Sequence, residues 1–201
     1  MCAKLHDYPF RRLNKLLGET TSTRTPIALQ IGEPQNAAPA LLGATVAEQG
    51  TLWSKYPPLK GSEAYRRAVA DWACRRYDLP ATAVDPDRHV LIACGSREAL
   101  YQAATLATER KKARLPEGVQ PAICLPNPLY HVYFGGALMA GAEPVTVDAT
   151  PDNNFIPDYD GLPADLLDRT ALVFLCTPGN PTGTVASRDQ LTRMLEAARR
   201  H

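Results

Sequence analysis

Three apolar runs in this sequence carry no polar face: Val90–Cys94 (VLIAC), Ala122–Leu125 (AICL) and Ala171–Cys176 (ALVFLC). An unbroken apolar strand must be covered on both sides, and the arrangement that covers it is a largely parallel sheet between helices. The segments between the runs supply the helices. Tyr65, Ala68, Val69, Trp72 and Ala73 recur at helical spacing behind Ser62, a good N-cap, and predict a helix to about Tyr77. Ala99, Leu100, Ala103, Leu106 and Ala107 predict a second, and Tyr130, Tyr133, Phe134, Ala137 and Leu138 a third, followed by a strand at Pro144–Val147. A short helix is expected near Leu162–Leu167, and a last one opens on the capping box Ser187–Gln190 and aligns Leu191, Met194, Leu195 and Ala198. The fold class is α/β, a three-layer α/β/α architecture. The first 60 residues are irregular, with one extended run at Pro26–Ile31 that stops at Gly32.

Charge excludes several functions. The 22 Lys and Arg and 21 Asp and Glu cancel to a net +1, which leaves no electrostatic footprint for nucleic acid or an anionic membrane surface. Five cysteines, with no Cys-x-x-Cys pair and mostly within apolar runs, read as reduced core thiols of a cytoplasmic protein. The four histidines show no ligand spacing, so no metal is expected. The N-terminus lacks the apolar segment of a secretory signal, and no stretch reaches the roughly 18 apolar residues of a membrane span. Lys55, Lys60 and Arg66 read as solvated charges.

In an open α/β sheet, ligands bind beyond the carboxyl ends of the strands, so the loops after the apolar runs are where chemistry is expected. The first loop places Gly95, Ser96 and Arg97 at a helix N-terminus, where unpaired N–H groups and the helix dipole favour a phosphate; an ordinary N-cap explains the same residues. No Gly-x-Gly-x-x-Gly or Walker run is present, which argues against a dinucleotide or a nucleoside triphosphate. The second loop stiffens the approach to Tyr130 with Pro126 and Pro128 and can hold a ring over a flat ligand, although Tyr130 and Tyr133 at i, i+3 also suit a core. The third wedges the Asn180 carboxamide between Gly179 and Pro181, where it can donate to a phenolate oxygen without adding charge.

PIALQIGEP (26–34), KYPPLKG (55–61), ACGSREAL (93–100), LPNPLYHVY (125–133) and TPGNPTG (177–183) stand in the order and approximate spacing of class I/II aminotransferases, and the chain resembles the N-terminal half of that family along essentially its whole length. These are fold-type I enzymes that use pyridoxal 5'-phosphate. Within the family, GSREAL and LPNPLYHVY are most similar to N-succinyldiaminopimelate aminotransferases. The resemblance implies that Gly95, Ser96 and Arg97 hold the cofactor phosphate, that Tyr130 stacks on its ring and that Asn180 bonds the ring oxygen. It further implies that Gly32 approaches the substrate α-carboxylate and that Tyr56 reaches the phosphate of a neighbouring subunit in a homodimer. Residues 1–60 would then be the N-terminal arm and small-domain segment, and 61–201 the first, incomplete part of the cofactor-binding large domain.

The implied reaction moves an amino group between glutamate and a keto dicarboxylate, N-succinyl-2-amino-6-oxopimelate of lysine biosynthesis, with amino-acid and keto-acid substrates and no nucleic-acid or membrane partner. An aromatic or aspartate aminotransferase, a carbon–sulfur lyase and a non-catalytic domain that binds the cofactor are the alternatives, because these motifs bind cofactor and do not select the bond broken. The family's Schiff-base lysine lies beyond the Asn180 motif, whereas all six lysines here precede it. The catalytic residue is therefore unassigned, and the sequence reads as a fragment that is inactive alone.

Overall fold

The computed structural model describes residues 9–20, 23–25, 27, 29, 32 and 36–201. The Pro26–Ile31 run and Cys2 therefore lie largely or wholly outside the described residues. Ala93–His201 forms one compact unit, and the described residues from Pro9 to Ile92 belong to another.

The N-terminal unit contains α1 (Pro9–Leu17), α2 (Ala40–Glu48) and α3 (Glu63–Arg76). Ser62 caps α3 as expected, its hydroxyl accepting from the Tyr65 amide at 3.2 Å. The buried face is not the expected one. Tyr65 and Trp72 are exposed, and Arg66, Ala70 and Cys74 point inward. Arg66 is only 8% exposed, which corrects its reading as a solvated charge. Its guanidinium is matched by acceptors, the Gly61 carbonyl and the Asp87 carboxylate, and apolar periodicity cannot register such a match. Lys55 and Lys60 are exposed.

Val90–Cys94 forms no strand, with Leu91 72% exposed. A strand exists only where a neighbour completes its ladder, and among the described residues none pairs with this run.

The second unit is built on β1 (Ala122–Asn127), β2 (Glu143–Asp148) and β3 (Thr170–Val173), all parallel in the order β2-β1-β3. β1 pairs β2 from Ala122↔Glu143 to Asn127↔Asp148, and its central place buries Ala122–Pro126 completely. The helices are α4 (Ser96–Lys112), α5 (His131–Met139), α6 (Ala164–Arg169) and α7 (Arg188–Arg200). α4 and α5 pack closely because Gly135 and Gly136 leave room: the Tyr101 hydroxyl lies against Gly135, and a Cβ on Gly136 would stand 3.5 Å from that of Ala104. Ala104, Ile123, Leu125, Tyr133, Ala137 and Phe174 form the core where these helices meet β1 and the end of β3. The Ser187–Gln190 capping box is present in both directions, at 3.2 and 2.9 Å.

β3 differs from expectation. It ends at Val173, and its four residues are only half-buried, not covered on both faces. One flank bonds β1; the other opens on an apolar groove of about 650 Å³ lined by Leu106, Ala107, Leu172, Met194, Leu195 and Ala198. Leu106 and Leu195, expected to face inward, are exposed on this groove, while the helices bury Ala104, Thr108 and Ala197. Cys74 and Cys124 are core thiols, whereas Cys94 is exposed and Cys176 half-buried. No helix among the described residues is long and apolar enough to cross a membrane.

Candidate functional site

The carboxyl ends of the three strands lie side by side, and the Asn127 amide donates to the Asp148 carboxylate at 2.7 Å, tying β1 to β2. From β1 the chain passes through α5 to β2 on one side, then returns through α6 to β3 on the other. The strand order thus reverses between β1 and β3, the place where open α/β sheets form a ligand crevice. The loops after these strands share a small cavity of about 20 Å³ whose lining includes Pro126, Pro128, Cys176, Gly179, Asn180 and Thr182. The Asn127–Pro128 and Asn180–Pro181 peptide bonds are both cis. Asn180 is exposed on a turn closed by the Gly179 amide on the Thr184 carbonyl and the Gly183 amide on the Gly179 carbonyl, each at 2.8 Å. Gly183, at φ +73°, supplies the left-handed residue that this turn requires.

α4 begins beside this edge. The amides of its first turn have no partner within the helix, and Ser96 and Arg97 are exposed there. The Glu98 carboxylate folds back over Gly95, so that a Cβ on Gly95 would stand 2.7 Å from Glu98 Oε2. The absence of a side chain at Gly95 therefore makes room for the Glu98 carboxylate close to the positive end of the helix. Arg97 Nε donates to the Tyr130 hydroxyl at 3.0 Å and joins this helix end to the loop after β1.

Tyr130 is half-buried, with its ring edge-on to His131 (5.0 Å between centroids) and to Tyr133 (5.6 Å), and Tyr133 stacks on Phe174 at 4.4 Å. Of the two readings of this pair, Tyr133 is core and Tyr130 sits at its rim. Burial, and then Cys176 and Tyr130, push the Tyr133 hydroxyl up to about 12. Burial first, and the Arg97 charge second, hold His131 below the ordinary histidine value.

Of the residues named from sequence, Gly95, Ser96 and Arg97 at the start of α4 are joined to Tyr130 in the loop after β1 by the Arg97–Tyr130 bond, and Asn180 lies in the loop after the neighbouring strand β3. N–H groups at a helix N-terminus, a hydroxyl and a guanidinium suit a phosphate dianion; a ring braced by two aromatic neighbours suits a flat heterocycle; a carboxamide suits its ring oxygen. This donor set fits pyridoxal phosphate. Gly32 and Tyr56 belong to the N-terminal unit. Gly32 is exposed, with no described atom within 4 Å of a built Cβ, and Tyr56 is fully exposed. Sequence reasoning missed His131, the Asn127–Asp148 bond and the tether from Arg97 to Tyr130; only Asn127 and Asp148 carried a signal, their place at the ends of strands. Among the described residues no three His, Cys, Asp or Glu gather to hold a metal ion.

The sequence is 34% identical over 203 residues to an LL-diaminopimelate aminotransferase of Desulforudis audaxviator and 33% identical over 199 residues to one of Moorella thermoacetica, each alignment covering 98% of this chain and 48% of the relative. An aminotransferase from Neisseria meningitidis superposes with a TM-score of 0.87 at 31% identity, covering 99% of this chain and 49% of that one. Aminotransferase AspB from Helicobacter pylori does so at 0.85 and 28%, covering 98% and 49%. The chain spans about half the length of the curated relatives it matches. The family model for aminotransferase class I and II matches residues 24–201, and the chain belongs to that family, whose members use pyridoxal phosphate.

Proposed function

We propose that the whole protein is a pyridoxal-phosphate-dependent transaminase that moves an amino group between glutamate and a keto acid with the carbon skeleton of diaminopimelate. The observation that carries this reading is the bond from Arg97, beside Ser96, to Tyr130 in the loop after β1, with Asn180 in the loop after the neighbouring β3, in a chain of this family. When bound, the cofactor supplies an electron sink that lets the Cα–H bond of an amino acid break and its nitrogen pass to a keto acid. The residues of this chain bind and orient it. The Ser96 and Arg97 amides and the Ser96 hydroxyl hold the phosphate. Tyr130, kept in place by Arg97, covers one ring face and excludes water, and the Asn180 amide donates to the ring oxygen and favours its ionised form. Gly32 leaves its backbone open to the substrate carboxylate, and Tyr56 reaches the phosphate of the neighbouring subunit in a homodimer. Residues 61–201 form the first part of the cofactor domain and 1–60 its arm.

The relatives named as LL-diaminopimelate aminotransferases favour the free diamino acid as amino donor. A second reading, the N-succinylated substrate, rests on the GSREAL and LPNPLYHVY motifs. Glutamate formation from 2-oxoglutarate, measured with LL-diaminopimelate, N-succinyl-diaminopimelate, aspartate and phenylalanine as donors, decides between them. Activity on the first supports the reading. Activity confined to the second selects the acylated substrate, and activity confined to aspartate or phenylalanine rejects both.

A further inference from the structure

We propose that Arg66 is a positioning residue for Tyr56: it fastens the loop that presents this tyrosine to the body of the N-terminal unit. The inference rests on the role given to Tyr56 above. Described residues from Asn36 to Lys60 are all exposed, Tyr56 and Leu59 completely, so no apolar burial among the described residues holds this stretch. Its order must come from polar ties. The Pro58–Gly61 turn closes on itself through the Gly61 amide and the Pro58 carbonyl at 2.8 Å. Gly61, at φ +78°, is buried, and a Cβ there would lie 2.5 Å from Ile92 Cγ2, so the turn has one seat and only glycine takes it.

Arg66 reaches this seat from α3. One terminal nitrogen of its guanidinium donates to the carbonyls of Gly61 and, at 3.5 Å, Lys60; the other donates to Asp87 Oδ1 at 2.7 Å. Asp87 is itself held, its amide donating to Asp85 Oδ1 at 2.8 Å, while the Asp85 amide donates to His89 Nδ1 at 3.0 Å. The planar fork thus spans two segments, the turn five residues after Tyr56 and the loop at 85–89. A lysine has the charge for either arm but not the geometry for both. This burial also costs stability, because Arg66 Nε is buried with no partner among the described residues. An apolar side chain would fill the space without that cost, so the arginine is kept for where it holds the loop, not for the packing it provides.

The test is cofactor release from the whole dimeric protein loaded with pyridoxal phosphate, followed by absorbance on dilution, for Tyr56→Phe, Arg66→Lys, Asp87→Asn and the double variant Tyr56→Phe/Arg66→Lys, with thermal unfolding recorded for each. Arg66→Lys is expected to speed release about fivefold, the equivalent of one hydrogen bond. Asp87→Asn, on an exposed carboxylate that leaves the core untouched, is expected to speed it about twofold. In the Tyr56→Phe background Arg66→Lys is expected to add nothing. Faster release in Tyr56→Phe with none in Arg66→Lys or Asp87→Asn overturns the inference and leaves the Tyr56 role standing. Equal effects of Arg66→Lys with and without the tyrosine hydroxyl also overturn it, since Arg66 then acts on general stability. Unchanged release in Tyr56→Phe rejects the role of Tyr56 and this inference with it.

Discussion

Arg97, on the first turn of α4, donates from Nε to the hydroxyl of Tyr130, 33 positions further along the chain, at 3.0 Å. The bond links the helix end that suits an anion to the ring that suits a heterocycle, so the two halves of the candidate site are set by one guanidinium. It also places a fixed positive charge near His131, which lies edge-on to the same ring.

Removing that charge has a measurable consequence. Arg97→Met is expected to raise the His131 midpoint, followed by NMR, part of the way toward the ordinary histidine value, because burial remains the larger cause. The depressed folded midpoint means that His131 contributes stability above its unfolded value and loses it as pH falls through the folded one. Arg97→Met narrows that window; an unmoved midpoint would show that Arg97 exerts no field there.

Ser96→Ala is expected to weaken retention of pyridoxal phosphate by about tenfold in the whole protein, the usual worth of a charge-assisted hydrogen bond. Equilibrium dialysis against free cofactor measures it. Retention equal to that of the parent would mean that Ser96 is only an N-terminal helix residue.

Thr108 is fully buried on α4 and its hydroxyl finds no hydrogen-bond partner among the described residues. Thr108→Val replaces that hydroxyl with a methyl of similar size and is expected to stabilise the fold by about 1 kcal/mol. A lower urea midpoint would show that the hydroxyl is satisfied in solution.

Tyr159 is buried and donates to the carbonyl of Phe174 at 2.8 Å, where β3 gives way to the Asn180 loop. Tyr159→Phe leaves that carbonyl unpaired and is expected to cost about 1–2 kcal/mol in urea unfolding. Burial raises both Tyr159 and Tyr133, the latter to about 12. A phenol with a raised folded value contributes stability that is complete below the unfolded value and is lost as pH rises through the folded one. Ultraviolet titration is therefore expected to show these two hydroxyls ionising after the exposed tyrosines, together with alkaline unfolding. Ionisation of every tyrosine in one step would contradict their burial.

All six lysines precede Asn180, so residues 1–201 mixed with pyridoxal phosphate and reduced with borohydride are expected to carry no stoichiometric pyridoxyl group. Peptide mapping that finds one such lysine would mean that the chain holds the cofactor covalently by itself.

What the sequence determined is what a few neighbouring residues settle among themselves. The Ser62 and Ser187 caps, the helical periods, the strands AICL and Pro144–Val147 and the punctuation at Asn127-Pro128 and Asn180-Pro181 were all legible, because each depends on backbone sterics or on bonds spanning three or four positions. Tertiary structure alone decided which faces went inside. Arg66 is buried and Trp72 is not, since acceptors at Gly61 and Asp87 lower the cost of burying a charge and no local pattern reveals them. VLIAC has a strand's composition but, among the described residues, no partner to complete its ladder, and β3 stays half-exposed with no described strand on its outer edge. Likewise the Arg97–Tyr130 bond exists only once α4 and the loop after β1 have come together, because hydrogen-bond partners and burial are properties of neighbours in space, and the chain brings those neighbours from far away in sequence.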